Sequence, residues 1–485
     1  MNDAVQMNHL KRRSRALVLT VLAAAVLSAC SLAPQYVRPD APVADSYPTA
    51  AADTKAGRHA ADIGWREFFP GPRLQAVIEA ALENNRDLRT AALRIEEARA
   101  LYNIQSADLL PSLNGTFTGA RSRTPADLSS TGRALVSSNY QVGLSLASFE
   151  LDFFGRVRSL NDAALAQYLA TEEARRAFQI SLVAEVAKAY LAERAFAEQL
   201  DLARQTLEGR QTGYTLAKQR FDVGASSALD LRLSESLVQS ARVAQLALIR
   251  QRAQAENALT LLTGTPLTNL PAAETLSSQN LVTDIPGGLP SDLLAQRPDI
   301  RAAEQRLQSA NANIGAARAA FFPRISLTAG FGTASNSLSG LFESGTRAWS
   351  FAPQLVLPLF DAGRNRNNLT LAQVRTNVAV VDYEKTIQVA FREVADALAA
   401  RGALEEQVEA QRLFLETQSA RLTLSEQRFD NGISSSLEVL DAQRELFIAE
   451  QSLVQVRLLR LTNAIDLYRS LGGGLNATST VVAQQ

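Results

Sequence analysis

Few residues in this chain can do chemistry, and they are poorly placed to do it together. Cys30 is the only cysteine, and His9 and His59 are the only histidines. A cysteine nucleophile needs a neighbouring base, and a zinc site needs several imidazoles or thiolates. One histidine beyond residue 30 supplies neither. Cysteine–histidine catalysis, a histidine general base and a clustered His/Cys metal site are therefore excluded. Carboxylates are left. Glu438 and Asp441 stand three residues apart, which places both on one face of a helix. Read alone, the pair looks like two ordinary solvated helix residues. The run Gly472-Gly473-Gly474 lacks a following Lys-Ser/Thr, so it is no phosphate-cradling loop. With 49 basic and 49 acidic residues, the chain has no net field to draw nucleic acid.

The one thiol has a telling position. Lys11, Arg12, Arg13 and Arg15 precede an apolar stretch from Ala16 to Leu27, the pattern of a secretory signal peptide over 1–29. That stretch is too short to span a bilayer. Leu27-Ser28-Ala29-Cys30 resembles the bacterial lipobox, whose thiol takes a diacylglyceryl group and whose freed amine takes a further acyl chain. Two or more chains on one residue anchor stably where one is marginal. The bland alternative is an ordinary signal peptide with a chance cysteine. Ser31 after the cysteine, rather than Asp, implies an outer-membrane destination. Residues 30–62, rich in Pro, Ala and Asp, read as a lipidated extended leader, and no later segment has the composition of a transmembrane helix.

The elements that carry the carboxylates occur twice. Gln219-Arg220-Phe221-Asp222-Val223-Gly224-Ala225-Ser226-Ser227-Ala228-Leu229 returns from Gln427 to Leu437, with eight of eleven positions identical. Asp87-Leu88-Arg89 matches Asp299-Ile300-Arg301, Pro111 matches Pro323, and Gly155-Arg156 matches Gly363-Arg364. The chain divides into a first repeat (63–270), an irregular segment (271–298), a second repeat (299–471) and a tail (472–485). Each repeat opens with a helical stretch (about 73–108, then 299–320). A strand hairpin follows at about 112–150 or 324–360. A very long helix then runs to a tip at about 219–227 or 427–435, and another returns. Gly224 and Gly432 suit helix ends, and the serines after them suit N-caps. From Gly155 to Gly224 the helix spans roughly 100 Å at 1.5 Å per residue, so it needs lateral partners. Leu437, Leu440, Arg444, Phe447, Gln451, Val454, Leu458, Leu461, Ile465 and Tyr468 fall at three- and four-residue steps, a coiled-coil seam.

Between the helices the period changes to two. Tyr140, Val142, Leu144 and Leu146 alternate with small or polar residues, as do Ile325, Leu327, Ala329 and Phe331. Trp349, Phe351, Leu355, Leu357 and Leu359 follow. Such strands fit a transmembrane barrel with a wet interior. Four strands cannot close one, and open edges are not viable in lipid, so the barrel must be shared between chains. Two chains would give eight strands and a plugged interior; three would give twelve and room for a channel. The alternative is a pair of soluble hairpins on a coiled-coil protein. Trp65 and Trp349 are candidate interfacial anchors, with only Trp349 beside a strand.

With these residues in view, the chain resembles the outer-membrane factor family of TolC-like channels, in the lipoprotein branch that serves resistance–nodulation–division pumps. The resemblance covers nearly the whole mature chain. It rests most firmly on Arg297-Pro298-Asp299-Ile300-Arg301-Ala302-Ala303-Glu304, Phe322-Pro323, Leu357-Pro358-Leu359-Phe360-Asp361-Ala362-Gly363-Arg364 and Tyr468-Arg469-Ser470-Leu471-Gly472-Gly473-Gly474. It implies a mainly α fold with a β-barrel: a homotrimer whose twelve-strand barrel continues into a helical tunnel. Segment 271–298 and both chain ends would form an equatorial band. The implied role is passive conduction of small molecules, without catalysis and with no cofactor beyond the lipid on Cys30. Outer-membrane lipid, a periplasmic adaptor and an inner-membrane pump are the implied partners. The tips would close the entrance, with Glu438 and Asp441 lining it and Asp222, Gly224, Asp430 and Gly432 meeting the adaptor. The equivalent places in the first repeat hold Asp230 and Leu233. Three rivals are a channel of the same fold for proteins, peptides or metal ions, a periplasmic scaffold lipoprotein, and a lipoprotein hydrolase using paired carboxylates.

Overall fold

The computed structural model describes residues 32–48, 58–282, 285–288 and 290–479. The signal-peptide stretch and the lipidation candidate Cys30 lie outside them. The repeat is visible in the order of elements. Helices α1 (Pro72–Asn84) and α2 (Arg86–Ala107) lead into strands β1 (Leu113–Thr124) and β2 (Leu135–Leu151). Helix α3 (Arg156–Asp222) follows, and α4 (Ala228–Thr263) returns. The second half repeats the order with α5 (Pro298–Ala319), β3 (Arg324–Ser335), β4 (Arg347–Val356), α6 (Arg364–Asp430) and α7 (Ser436–Ser470). Helices α3 and α6 are each 67 residues long. The stretch expected as one helix over 73–108 is two. Asn85 leaves the helix and caps the next, its Oδ1 accepting from the Leu88 N–H at 2.8 Å.

The chain forms two compact units. The first gathers residues 32–40 with Ile95–Thr171 and Ala303–Tyr383. Its sheet is antiparallel in the order β1-β2-β3-β4, so one edge each of β1 and β4 has no partner among the described residues. The register sorts the side chains. Gly115, Leu144, Phe331 and Trp349 run across one face; Asn114, Ser145, Gly330 and Ser350 run across the other. Phe117, Phe331, Trp349 and Phe351 stay more than half exposed, the arrangement of an apolar wall that meets lipid. A bulge between Leu146 and Phe149, with Ser148 at φ 47°, switches the parity of β2. Phe149 and Leu151 thereby pair with Leu327 and Ile325 and rejoin the apolar face.

The leader is strapped to α5 in the same unit. The Arg38 guanidinium grips Glu304 at 2.7 and 2.8 Å, and the Tyr36 hydroxyl donates to the same carboxylate at 3.1 Å. Asn311 and Arg318 donate to the carbonyls of Pro34 and Leu32. Gly315 allows this close approach, since a Cβ there would sit 2.8 Å from the Ala33 nitrogen.

The second unit holds the tips and an aromatic core. Tyr468 stacks on Phe68 with ring centroids 3.9 Å apart, and its hydroxyl donates to the Ile63 carbonyl at 2.6 Å. Trp65 is buried here, so it is a core residue and not an interfacial anchor. The tail is held nearby: the Trp65 N–H donates to the Asn476 carbonyl. Arg73 donates to the Pro271 carbonyl, and Arg401 to that of Ile285, fastening the irregular segment. Arg297 is a hub, bonded to Asp299 at 2.6 Å, to Glu393 at 2.8 Å and to the Ser470 carbonyl at 3.0 Å.

The seam of α7 differs from its expected register. Val454, Leu461, Ile465 and Tyr468 are buried as expected, but Leu437 is 56% exposed and Arg444 is exposed. Nearer the tip the buried stripe is Ala442, Ala449, Leu453 and Val456, at steps of seven, four and three. Small alanines let helices approach closely, and Phe447, an expected seam residue, packs between them against Leu200, Ala203 and Leu248.

Candidate functional site at the helical tips

Both tips are built by the same local rule. Helix α3 ends as Gly224 takes φ 74°, and α6 ends as Gly432 takes φ 71°, the left-handed conformation that glycine adopts without a Cβ clash. The Ala225 and Ile433 amides then close back onto the Arg220 and Arg428 carbonyls. Ser227 opens α4 with a capping box: its Oγ accepts from the Asp230 N–H, and the Asp230 carboxylate accepts from the Ser227 N–H. Ser435 caps α7 without a side-chain bond.

Asp230 does more than cap. Its Oδ1 accepts from the Ser436 hydroxyl at 2.7 Å, joining the first hairpin to the second. The bonds from Ser436 and then Ser227 hold this carboxyl below the usual aspartate range. A group whose folded pKa is depressed stabilises the fold above its unfolded value, about 3.9, and loses that contribution as pH falls through the folded value. The latch therefore persists through mildly acid pH. Asp230→Ala should separate the two tips at pH 7 and pH 5 alike. Spin-label distances between Ala225 and Ile433 check this, and an unchanged distance would remove Asp230 from the latch.

The two carboxylates picked out in sequence sit among arginines. Asp441 is bonded to Arg421 at 2.5 Å across the second hairpin and also to Arg444 on its own helix. Glu438 lies 3.7 Å from Arg428. Both acids are partly exposed, so each pair contributes little stability, about 0–1 kcal/mol. Their effect is on local charge. Arg421 and Asp441 are each ten residues from Asn431, so a mirror about the turn is the signal that would have found this pair. Asp222, Gly224, Asp430 and Gly432 are exposed, with Lys218 3.4 Å from Asp222. Val223 and Ile433 are 78% and 66% exposed beside them. Phe429 packs under the Arg220 guanidinium. Among the described residues no cluster of His, Cys, Asp and Glu could hold a metal ion.

The duplicated helices, the four-strand sheet with unpaired edges and the paired tips all have counterparts in known proteins. A family model described as outer membrane efflux protein matches residues 77–265 and again 289–473, one match per repeat. The chain belongs to the outer membrane efflux protein family. Outer membrane protein OprJ of Pseudomonas aeruginosa is 49% identical over 473 residues, covering 96% of this chain and 98% of OprJ. The toluene efflux pump outer membrane protein TtgF of Pseudomonas putida is 49% identical over 471 residues, 95% of this chain and 98% of TtgF. Among solved structures, the open state of the Neisseria gonorrhoeae MtrE outer membrane channel superposes with a TM-score of 0.86 at 42% identity. That match covers 93% of this chain and 100% of MtrE. As a member of the outer membrane efflux protein family, the chain is an efflux channel subunit of the outer membrane and not an enzyme. Its fold is that of the trimeric TolC-like channels, with four strands per chain.

Proposed function

We propose that this efflux protein is the exit duct of a tripartite pump of the resistance–nodulation–division type. It receives small apolar or amphiphilic toxic compounds and conducts them passively. The observation that carries the reading is the latch between the two tips, Ser436 on Asp230, beside a carboxylate–arginine cluster. Three chains bring three copies of Glu438 and Asp441 to the entrance, and rings of acid favour cations. A periplasmic adaptor meets the exposed turns at Asp222, Gly224, Asp430 and Gly432, where Val223 and Ile433 offer apolar contact. Acyl chains on Cys30 add a membrane anchor. The name of TtgF supports efflux of toxic small molecules, since it is called a toluene efflux pump outer membrane protein.

The deciding experiment is conductance in planar bilayers of the wild type and of a Glu438→Ala/Asp441→Ala variant. Removing both acids strands Arg421 and Arg428, while Arg444 keeps Glu445, so selectivity should turn from cations toward anions by several-fold. Unchanged selectivity would return the two acids to solvated helix positions. Failure to insert or trimerise would favour a periplasmic scaffold instead.

A further inference from the structure

The half of the sheet away from the helices carries arginines and no acid. Arg121 and Arg123 stand near the end of β1, and Arg347 opens β4. The only carboxylate in the four strands is Glu150, at the opposite end, where Arg156 and Arg324 hold it. Arg121, Arg123 and Arg347 are exposed, with no ion pair or side-chain hydrogen bond among the described residues. The adjoining loops add Arg133 against Asp127 and Glu343, so arginines outnumber acids at this end.

All three strand arginines share the lipid-facing side. Arg121 and Arg123 alternate in step with Phe117, and Arg347 in step with Trp349 and Phe351. At about 3.3 Å per residue and a tilt of about 45°, Arg121 and Arg123 stand roughly 19 and 23 Å above Leu113. The apolar band of such a barrel is about 25 Å tall, so these side chains lie where lipid headgroups begin.

Closing the trimer brings the three together. In a three-fold ring, β4 of one chain must pair, antiparallel, with β1 of the next. Registers that keep the apolar residues outward differ by two residues. Only one of those pairs every residue of β4, Arg347–Val356, with a residue of β1, Leu113–Thr124. It sets Val356 beside the partner's Asn114, Phe351 beside the partner's Gly119, and Arg347 beside the partner's Arg123. The partner's Arg121 follows two residues along on the same face. Like charges directly opposite are destabilising, so this group needs an anion.

We propose that each junction between chains binds a phosphate of the phosphorylated glycolipid in the outer leaflet, through Arg347 and the partner's Arg121 and Arg123. Planar guanidinium forks suit phosphate oxygens. A cluster free of acids favours a multiply charged headgroup over a singly charged phospholipid. The inference needs the trimeric barrel and not the pump. Native mass spectrometry of the full-length trimer, delipidated in detergent, tests it with diphosphorylated lipid A. Phosphatidylglycerol is the competing source of phosphate. The wild type should bind lipid A about tenfold more tightly than phosphatidylglycerol, saturating at one per junction. Arg121→Ser/Arg123→Ser/Arg347→Ser should weaken lipid A binding by about tenfold or more, while Arg133→Ser in the loop should change it by less than about twofold. The trimer mass in the same spectra reports assembly. Should the triple variant not assemble, Arg347→Ser alone should lose about threefold. On oxidation, Arg123→Cys/Arg347→Cys should link chain to chain, and neither single variant should. Failure to link, equal binding of phosphatidylglycerol, or unchanged binding by the strand arginine variants would overturn the proposal.

Discussion

Gly332→Val should leave no detergent-resistant trimer in the outer membrane, although the helices keep their sequence intact. Gly332 faces Gly143 where β2 and β3 pair, at the centre of the sheet. A Cβ on Gly332 would collide with the Val142 carbonyl oxygen and sit 2.6 Å from the Gly143 Cα. A Cβ on Gly143 would in turn lie 2.5 Å from the Phe331 carbonyl oxygen. These neighbours are backbone, which cannot swing aside as a side chain does. A valine would force the strands apart and strip ladder hydrogen bonds at membrane depth, where each orphaned group costs several kcal/mol. Ala329→Val, on the apolar face opposite Leu146 and Phe351, should be tolerated. Semi-native electrophoresis of membrane extracts reads both. Trimer from Gly332→Val at the wild-type level would show that the sheet relaxes around the valine.

Arg297→Ala should be the most damaging substitution in the helical part of the chain. The side chain is 7% exposed and holds Asp299, Glu393 and the Ser470 carbonyl together. Asp299 and Glu393 keep 36% and 21% of their side chains exposed, so the loss is that of several charge-assisted hydrogen bonds made by one buried arginine, about 1.5–3 kcal/mol. Glu393 keeps Arg469 at 3.1 Å, which softens the loss on one side only. Arg297→Lys should rescue little, since one ammonium cannot span three acceptors that a planar fork reaches together. Thermal unfolding of the purified protein measures this. A loss below about 1 kcal/mol in the alanine variant would mean that the cluster is dispensable.

What could be read in the sequence follows from the range of the forces involved. The tips were legible because Gly224 and Gly432 act locally and the repeat prints the turn twice. The strands were legible as well, since alternation needs no knowledge of the partner. The parity switch after Leu146 was not, because Ala147 and Ser148 carry no mark of a bulge until β3 is set beside them. The Asp230–Ser436 bond joins residues 206 apart, and either residue alone looks like an ordinary cap. Arg297 stood inside a recognised motif, but only the fold brings Glu393 and Ser470 to it. The seam of α7 was half legible. Large residues marked its far end, while Ala442 and Ala449 near the tip are too common in helices to signal contact.

The unpaired edges of β1 and β4 have a genetic consequence. A chain with one spoiled edge can still offer the other to a neighbour, so it joins assemblies that it then prevents from closing. In a cell making equal amounts of both chains, only about one ring of three in eight would be wholly wild type if assembly is random. An edge-strand allele should therefore act dominantly over the normal copy, whereas a null allele should be silent beside it.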